Sequence, residues 1–110
     1  MHNPPALVTQ VELSNHTAPG RLGFSYALEF NLGIYQQHFA NMPRKHQRRT
    51  AISSLGIELS KRWGKPYQTH WERKQLSKRW YQYHISNPQR IRICFKTEND
   101  RTLAAMLYKI

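Results

Sequence analysis

Between Lys78 and Phe95 the sequence KRWYQYHISNPQRIRICF sets arginines, tyrosines and one histidine among apolar residues. These side-chain types suit chemistry at a phosphodiester. Cutting RNA without a metal requires in-line attack of a ribose 2′-hydroxyl on phosphorus, a base to take its proton, cations on the phosphate oxygens and an acid for the leaving 5′-oxygen. His, Tyr and Lys can exchange those protons, and the planar fork of Arg fits the phosphate. His84 is the best proton carrier of the stretch, since an unperturbed imidazole titrates near ~6.5.

Those groups need a rigid support, and the local pattern predicts one. Two strands joined at Ser86-Asn87-Pro88-Gln89 would place Ile91, Ile93 and Phe95 on one face and Arg90, Arg92, Cys94 and Lys96 on the other. Upstream, FSYALEF at 24–30 alternates as a first strand, with Phe24, Tyr26, Leu28 and Phe30 on one side. Asn31 is a candidate N-cap for a short helix carrying Leu32, Tyr35, Phe39 and Met42 on one face. Pro43 suits the first turn of a second helix, whose inward stripe is Ala51, Ile52, Leu55, Leu59 and Trp63 and which Gly64 and Pro66 end. Residues 65–77 read as a loop anchored by Trp71 and Leu76. A turn at Glu98-Asn99-Asp100-Arg101 and a last strand from Leu103 to Ile110 complete the expectation. The predicted fold is α+β, a small, twisted, largely antiparallel sheet with two helices on one face, in the order β-α-α-β-β-β.

The 110 residues make one domain with a single core. Residues 1–20, bracketed by Asn3-Pro4-Pro5 and Pro19-Gly20, read as a largely irregular extension in which 7–13 can form a strand, and 21–110 as the domain proper. Seventeen Lys and Arg against six acidic residues give a net charge of +11, which attracts polyanions. No apolar run approaches the ~20 residues that span a bilayer, which argues against a membrane partner. The N-terminus lacks the pattern of a secretory signal and Cys94 is the single cysteine. A cytoplasmic protein is therefore expected.

The strand YALEF, the helical LGIYQQHFANMP-RKHQ continuing through SSLGIEL, the segment KQLSKRWYQYHIS and the run RIRICFK resemble, in that order, the RelE/ParE superfamily of bacterial toxins, RelE/HigB-like branch. The resemblance covers roughly 24–110. It implies a sheet with two helices on one face and a concave basic face opposite. It also implies a ribosome-dependent mRNA endoribonuclease, without cofactor, held in check by an antitoxin. Arg92 matches the arginine that contacts the scissile phosphate in that family. His84 and Gln82 align with its basic residues on the preceding strand, although Gln82 cannot transfer a proton. Tyr108, with Lys109 beside it, would supply the last catalytic group. Arg73, Lys74, Lys78, Arg79, Arg90 and Trp80 would position the substrate, the cations on phosphates and the ring on bases. Arg44, Lys45, Arg48 and Arg49 would grip ribosomal RNA.

Each assignment has a plainer counterpart. Arg92 can be a solvated strand arginine, Tyr81, Tyr83 and Ile85 a buried strand face, and the 44–49 cluster a solvated helix face. The six histidines show no metal-ligand spacing, so no metal site is expected. Cys94 reads as packing and not as a nucleophile. Two other functions fit the same charge: a gyrase inhibitor like the ParE branch, or a basic RNA-binding module without catalysis.

Overall fold

The turn between the two basic strands is built from side-chain chemistry that the sequence supplies. Asn87 accepts the amide of Gln89 on its side chain (2.9 Å) and that of Arg90 on its carbonyl (3.1 Å), as asparagine does in tight turns. The computed structural model describes residues 6–39, 41–67, 78–85, 87 and 89–108. Strand β3 (Trp80–His84) and β4 (Arg90–Phe95) flank the turn as an antiparallel pair. On its other edge β4 pairs with β2 (Tyr26–Asn31), and β2 with β1 (Val8–Glu12), giving a four-stranded antiparallel sheet in the order β1-β2-β4-β3. Part of the expected extension is thus sheet, with Leu7 and Leu13 buried at the ends of β1.

A short turn, α1 (Ala18–Arg21), links β1 to β2, capped by the Thr17 hydroxyl, which accepts the amide of Gly20. Asn31 caps α2 (Leu32–Tyr35) through the amide of Ile34, and the chain continues as a 3-10 turn, Gln36–Phe39. Met42 lies outside any helix and is exposed, not on the expected apolar face. The long helix α3 (Arg44–Trp63) follows, with Pro43 at its cap rather than in its first turn. Ala51, Leu55, Leu59 and Trp63 are buried at successive four-residue steps, the stripe a packed helix requires. Gly64 ends it with φ of +77°, a conformation that glycine adopts without strain.

The last element departs from expectation. Residues 98–107 form a helix, α4 (Glu98–Leu107), where a turn and a fourth antiparallel strand were predicted. The Thr97 hydroxyl accepts the amide of Asp100, and Glu98 and Asp100 occupy the first turn, where the helix dipole favours acids. Leu, Ala and Met then extend it as strong helix formers. The observed order is β-α-β-α-α-β-β-α, not β-α-α-β-β-β.

Helices α2, α3 and α4 share the main core with one sheet face, through Leu28, Phe30, Ile91, Ile93, Phe95 and Trp80. The opposite face carries a second apolar cluster of Leu13, Phe24, Ala27, Tyr81 and Cys94, flanked by Tyr67 and Tyr83. Phe24 thus precedes β2 and packs away from Leu28 and Phe30. No described helix is long and apolar enough to cross a membrane.

Candidate nucleic-acid interface

Strand register decides which candidates can meet. Directly paired residues of an antiparallel sheet share a face, and β4 pairs Tyr83 with Arg92, Gln82 with Ile93 and His84 with Ile91. Tyr83 is therefore beside Arg92, whereas Gln82 and His84 lie on the helix side with Ile91 and Ile93. Gln82 sits under α3, its Oε1 3.6 Å from where a Cβ on Gly56 would stand. The expected pairing of His84 with Arg92 on one surface is not formed.

Trp80 changes role as well. It pairs with Phe95, is fully buried and donates its indole N–H to the Gly64 carbonyl at 2.7 Å. A ring so placed ties β3 to the end of α3 and cannot stack on a base. Tyr108 also lies on the helix side, at the C-cap of α4, edge-on to Phe30 (4.9 Å between centroids) and donating to Glu58 Oε2 at 2.8 Å. Burial first, then the hydrogen bond and charge of Glu58, hold its hydroxyl well above the ordinary tyrosine range. Of the three expected catalytic residues, Arg92 is on one sheet face while His84 and Tyr108 are on the other.

On the basic face of β4, Arg92 is ion-paired. Arg92 Nε donates to Glu29 Oε1 at 3.2 Å across β2, and both side chains are three-quarters or more buried. Cys94 is fully buried, and desolvation lifts its thiol to about 12, against a smaller opposing effect of Arg92, so the thiolate is disfavoured there. The Lys96 ammonium lies 5.1 Å from the centre of the Phe24 ring. Arg79 donates to the buried carboxylate of Asp100 at 2.7 Å. Arg101, itself buried, reaches the Val11 carbonyl (3.1 Å) and lies over Tyr26. Arg90 and Lys78 are half-buried at the sheet ends. Arg73, Lys74 and Lys109, with the anchors Trp71 and Leu76, lie outside the described residues, as does the Arg44 side chain.

Helix α3 is the contrast. Among the described residues its N-terminal turns hold no buried side chain before Ala51; Lys45, His46, Arg48 and Arg49 are exposed, and no acidic residue stands in the first turn. Lys61 and Arg62 are exposed near the C-terminal end, roughly 18 Å further along the axis at 1.5 Å per residue. Among the described residues, Lys45, Arg49, Lys61 and Arg62 have no carboxylate within 4 Å. Cations at a helix N-terminus add to the positive end of its dipole. The last two were foreseen only as outward residues, because the tertiary pairing that leaves them uncompensated has no local signature.

In comparisons with known proteins the chain matches no family model, no curated protein and no solved structure.

Proposed function

We propose that this protein is an RNA-binding domain that holds a single strand along α3 by its phosphates, without cutting it. The observation that supports this reading is the distribution of paired and unpaired charge. Glu29, Asp100 and Glu98 near the sheet are taken up by Arg92, Arg79 and Arg101, while among the described residues Lys45, Arg49, Lys61 and Arg62 of α3 have no carboxylate within 4 Å. Such cations bind a polyanion by releasing its counterions, which needs no catalytic group. A fluorescent single-stranded RNA titrated at several salt concentrations tests it. Binding should weaken steeply with salt, and Lys45→Ala with Arg49→Ala should flatten that dependence. Absence of binding at low salt overturns the reading.

A second reading is favoured by one placement, that of Arg92 beside Tyr83 on the face away from α3. A guanidinium next to a phenol suits phosphate binding and proton transfer, as an antitoxin-controlled, ribosome-dependent mRNA-cleaving toxin of the cytoplasm would need. In that reading Tyr83 replaces His84. Induced expression should then arrest growth and leave mRNA cut within translated codons, with relief by Arg92→Ala. Intact transcripts exclude it.

A further inference from the structure

The C-terminal ends of α3 and α4 flank an open cleft of about 480 Å³ lined by Glu58, Lys61, Arg62, Leu107 and Tyr108, within the size range of small-ligand sites. Its charges are arranged unusually. Glu58 stands four residues before Arg62, the better orientation for an ion pair on a helix surface, yet no such pair forms within 4 Å. The carboxylate is drawn instead to the tyrosines, with Oε2 accepting from Tyr108 (2.8 Å) and from Tyr35 (3.5 Å). Tyr108 is in turn fixed by edge-on packing against Phe30 and Tyr35. Lys61 and Arg62 thereby share the cleft with Glu58 without an ion pair within 4 Å, beside an apolar wall formed by Leu107, which is 42% exposed.

Cations, an apolar wall and a fixed acceptor within one cleft match a phosphate, a base plane and a base edge that carries N–H donors. We propose that the cleft seats one nucleotide of a single strand, and that this site belongs to the RNA-binding reading above and rests on it. Lys61 and Arg62 take the phosphate, Leu107 and Tyr108 flank the base, and Glu58 accepts from its Watson–Crick edge. A carboxylate accepts and does not donate when ionised. Guanine, which presents adjacent N1–H and N2–H donors, is the preferred base, and uracil, with a single N–H between two carbonyls, is disfavoured.

The test is an NMR titration of the isotopically labelled full chain with GMP, UMP, inorganic phosphate and an acidic amphipathic peptide, alongside binding of single-stranded RNA. GMP should perturb residues 58–62 and 107–108, at least threefold more tightly than UMP or phosphate. Lys61→Gln with Arg62→Gln, both at exposed positions, should weaken GMP about tenfold. Glu58→Gln should erase the preference for guanine over uracil. Equal responses to GMP and phosphate, or tighter binding of the peptide than of GMP, overturn the nucleotide seat. RNA binding that leaves the cleft signals unmoved overturns the seat but keeps the RNA reading. Loss of all RNA binding by the unaltered protein overturns the reading itself.

Discussion

The β3–β4 hairpin and helix α3 are both strongly basic in sequence, yet their cations meet different surroundings. On the hairpin side, Arg92 is paired with Glu29 and Arg79 with Asp100, and Lys96 lies against an aromatic ring. On α3, Lys45, Arg49, Lys61 and Arg62 have no such partner among the described residues. Around the sheet, charge pairs hold strands and α4 together, and on α3 the cations face solvent. A net charge of +11 gives the sum of these, and only the pairing tells where the field emerges.

The sharpest way to probe this division is through the aromatic that joins the two regions. Trp80→Ala removes a fully buried ring and its bond to the Gly64 carbonyl. It should cost about 3–5 kcal/mol in urea unfolding. A stable variant with weakened RNA binding would instead return Trp80 to the role of base stacker. Next in size, Lys45→Ala with Arg49→Ala should lower affinity for single-stranded RNA about tenfold, or roughly 1.4 kcal/mol. The slope of log K against log salt should fall by roughly 1.4, at ~0.7 per phosphate contact. Arg92→Ala should change affinity much less, and a larger effect there than on α3 would invert the comparison.

Smaller effects separate the halves further. Glu29→Gln leaves Arg92 without its carboxylate on a half-covered face, and should destabilise the fold by about 1 kcal/mol or less, measured by thermal melting. RNA binding should rise slightly as that charge is released. Tyr108→Phe should matter least at neutral pH. The Tyr108 hydroxyl titrates higher in the fold than in the unfolded chain, where loss of the proton begins near ~10. Above that pH the unfolded chain binds fewer protons than the fold, so stability falls as pH rises. Urea midpoints between pH 8 and 11 should therefore decline more steeply for the unaltered protein than for Tyr108→Phe.

The parts of the molecule governed by local pattern were legible in the sequence. The hairpin, its turn through Asn87 and Gln89, the inward stripe of α3 and its stop at Gly64 follow from alternation, four-residue spacing and turn residues. Leu103 to Leu107 misled because five apolar residues satisfy a strand and a helix alike, and the cap at Thr97 with Glu98 and Asp100 behind it decides for the helix. The site failed at register. Shifting the pairing by one residue sends His84 and Gln82 to the opposite face, and periodicity along a single strand cannot fix that count. The Glu29–Arg92 pair spans 63 positions and was invisible to any local window.

That same span governs how the chain assembles. The β3–β4 hairpin and α3 are closed by near neighbours, so they can form within microseconds. The central pairing of β2 with β4 must first close a loop of some 60 residues, at an entropic cost of about 4 kcal/mol beyond a constant. The β1–β2 pairing closes over only 14 to 22 positions and is local in the same sense, whereas the Arg101 bond to Val11 spans 90. Stopped-flow refolding of a variant that keeps Trp80 as its one tryptophan should therefore show helical signal before Trp80 reaches its buried fluorescence, and simultaneous onset of the two would contradict this order. The ion pair of Arg92 with Glu29 belongs to that long closure, so any state in which the hairpin is formed and β2 is not yet paired carries Arg92 as an open cation.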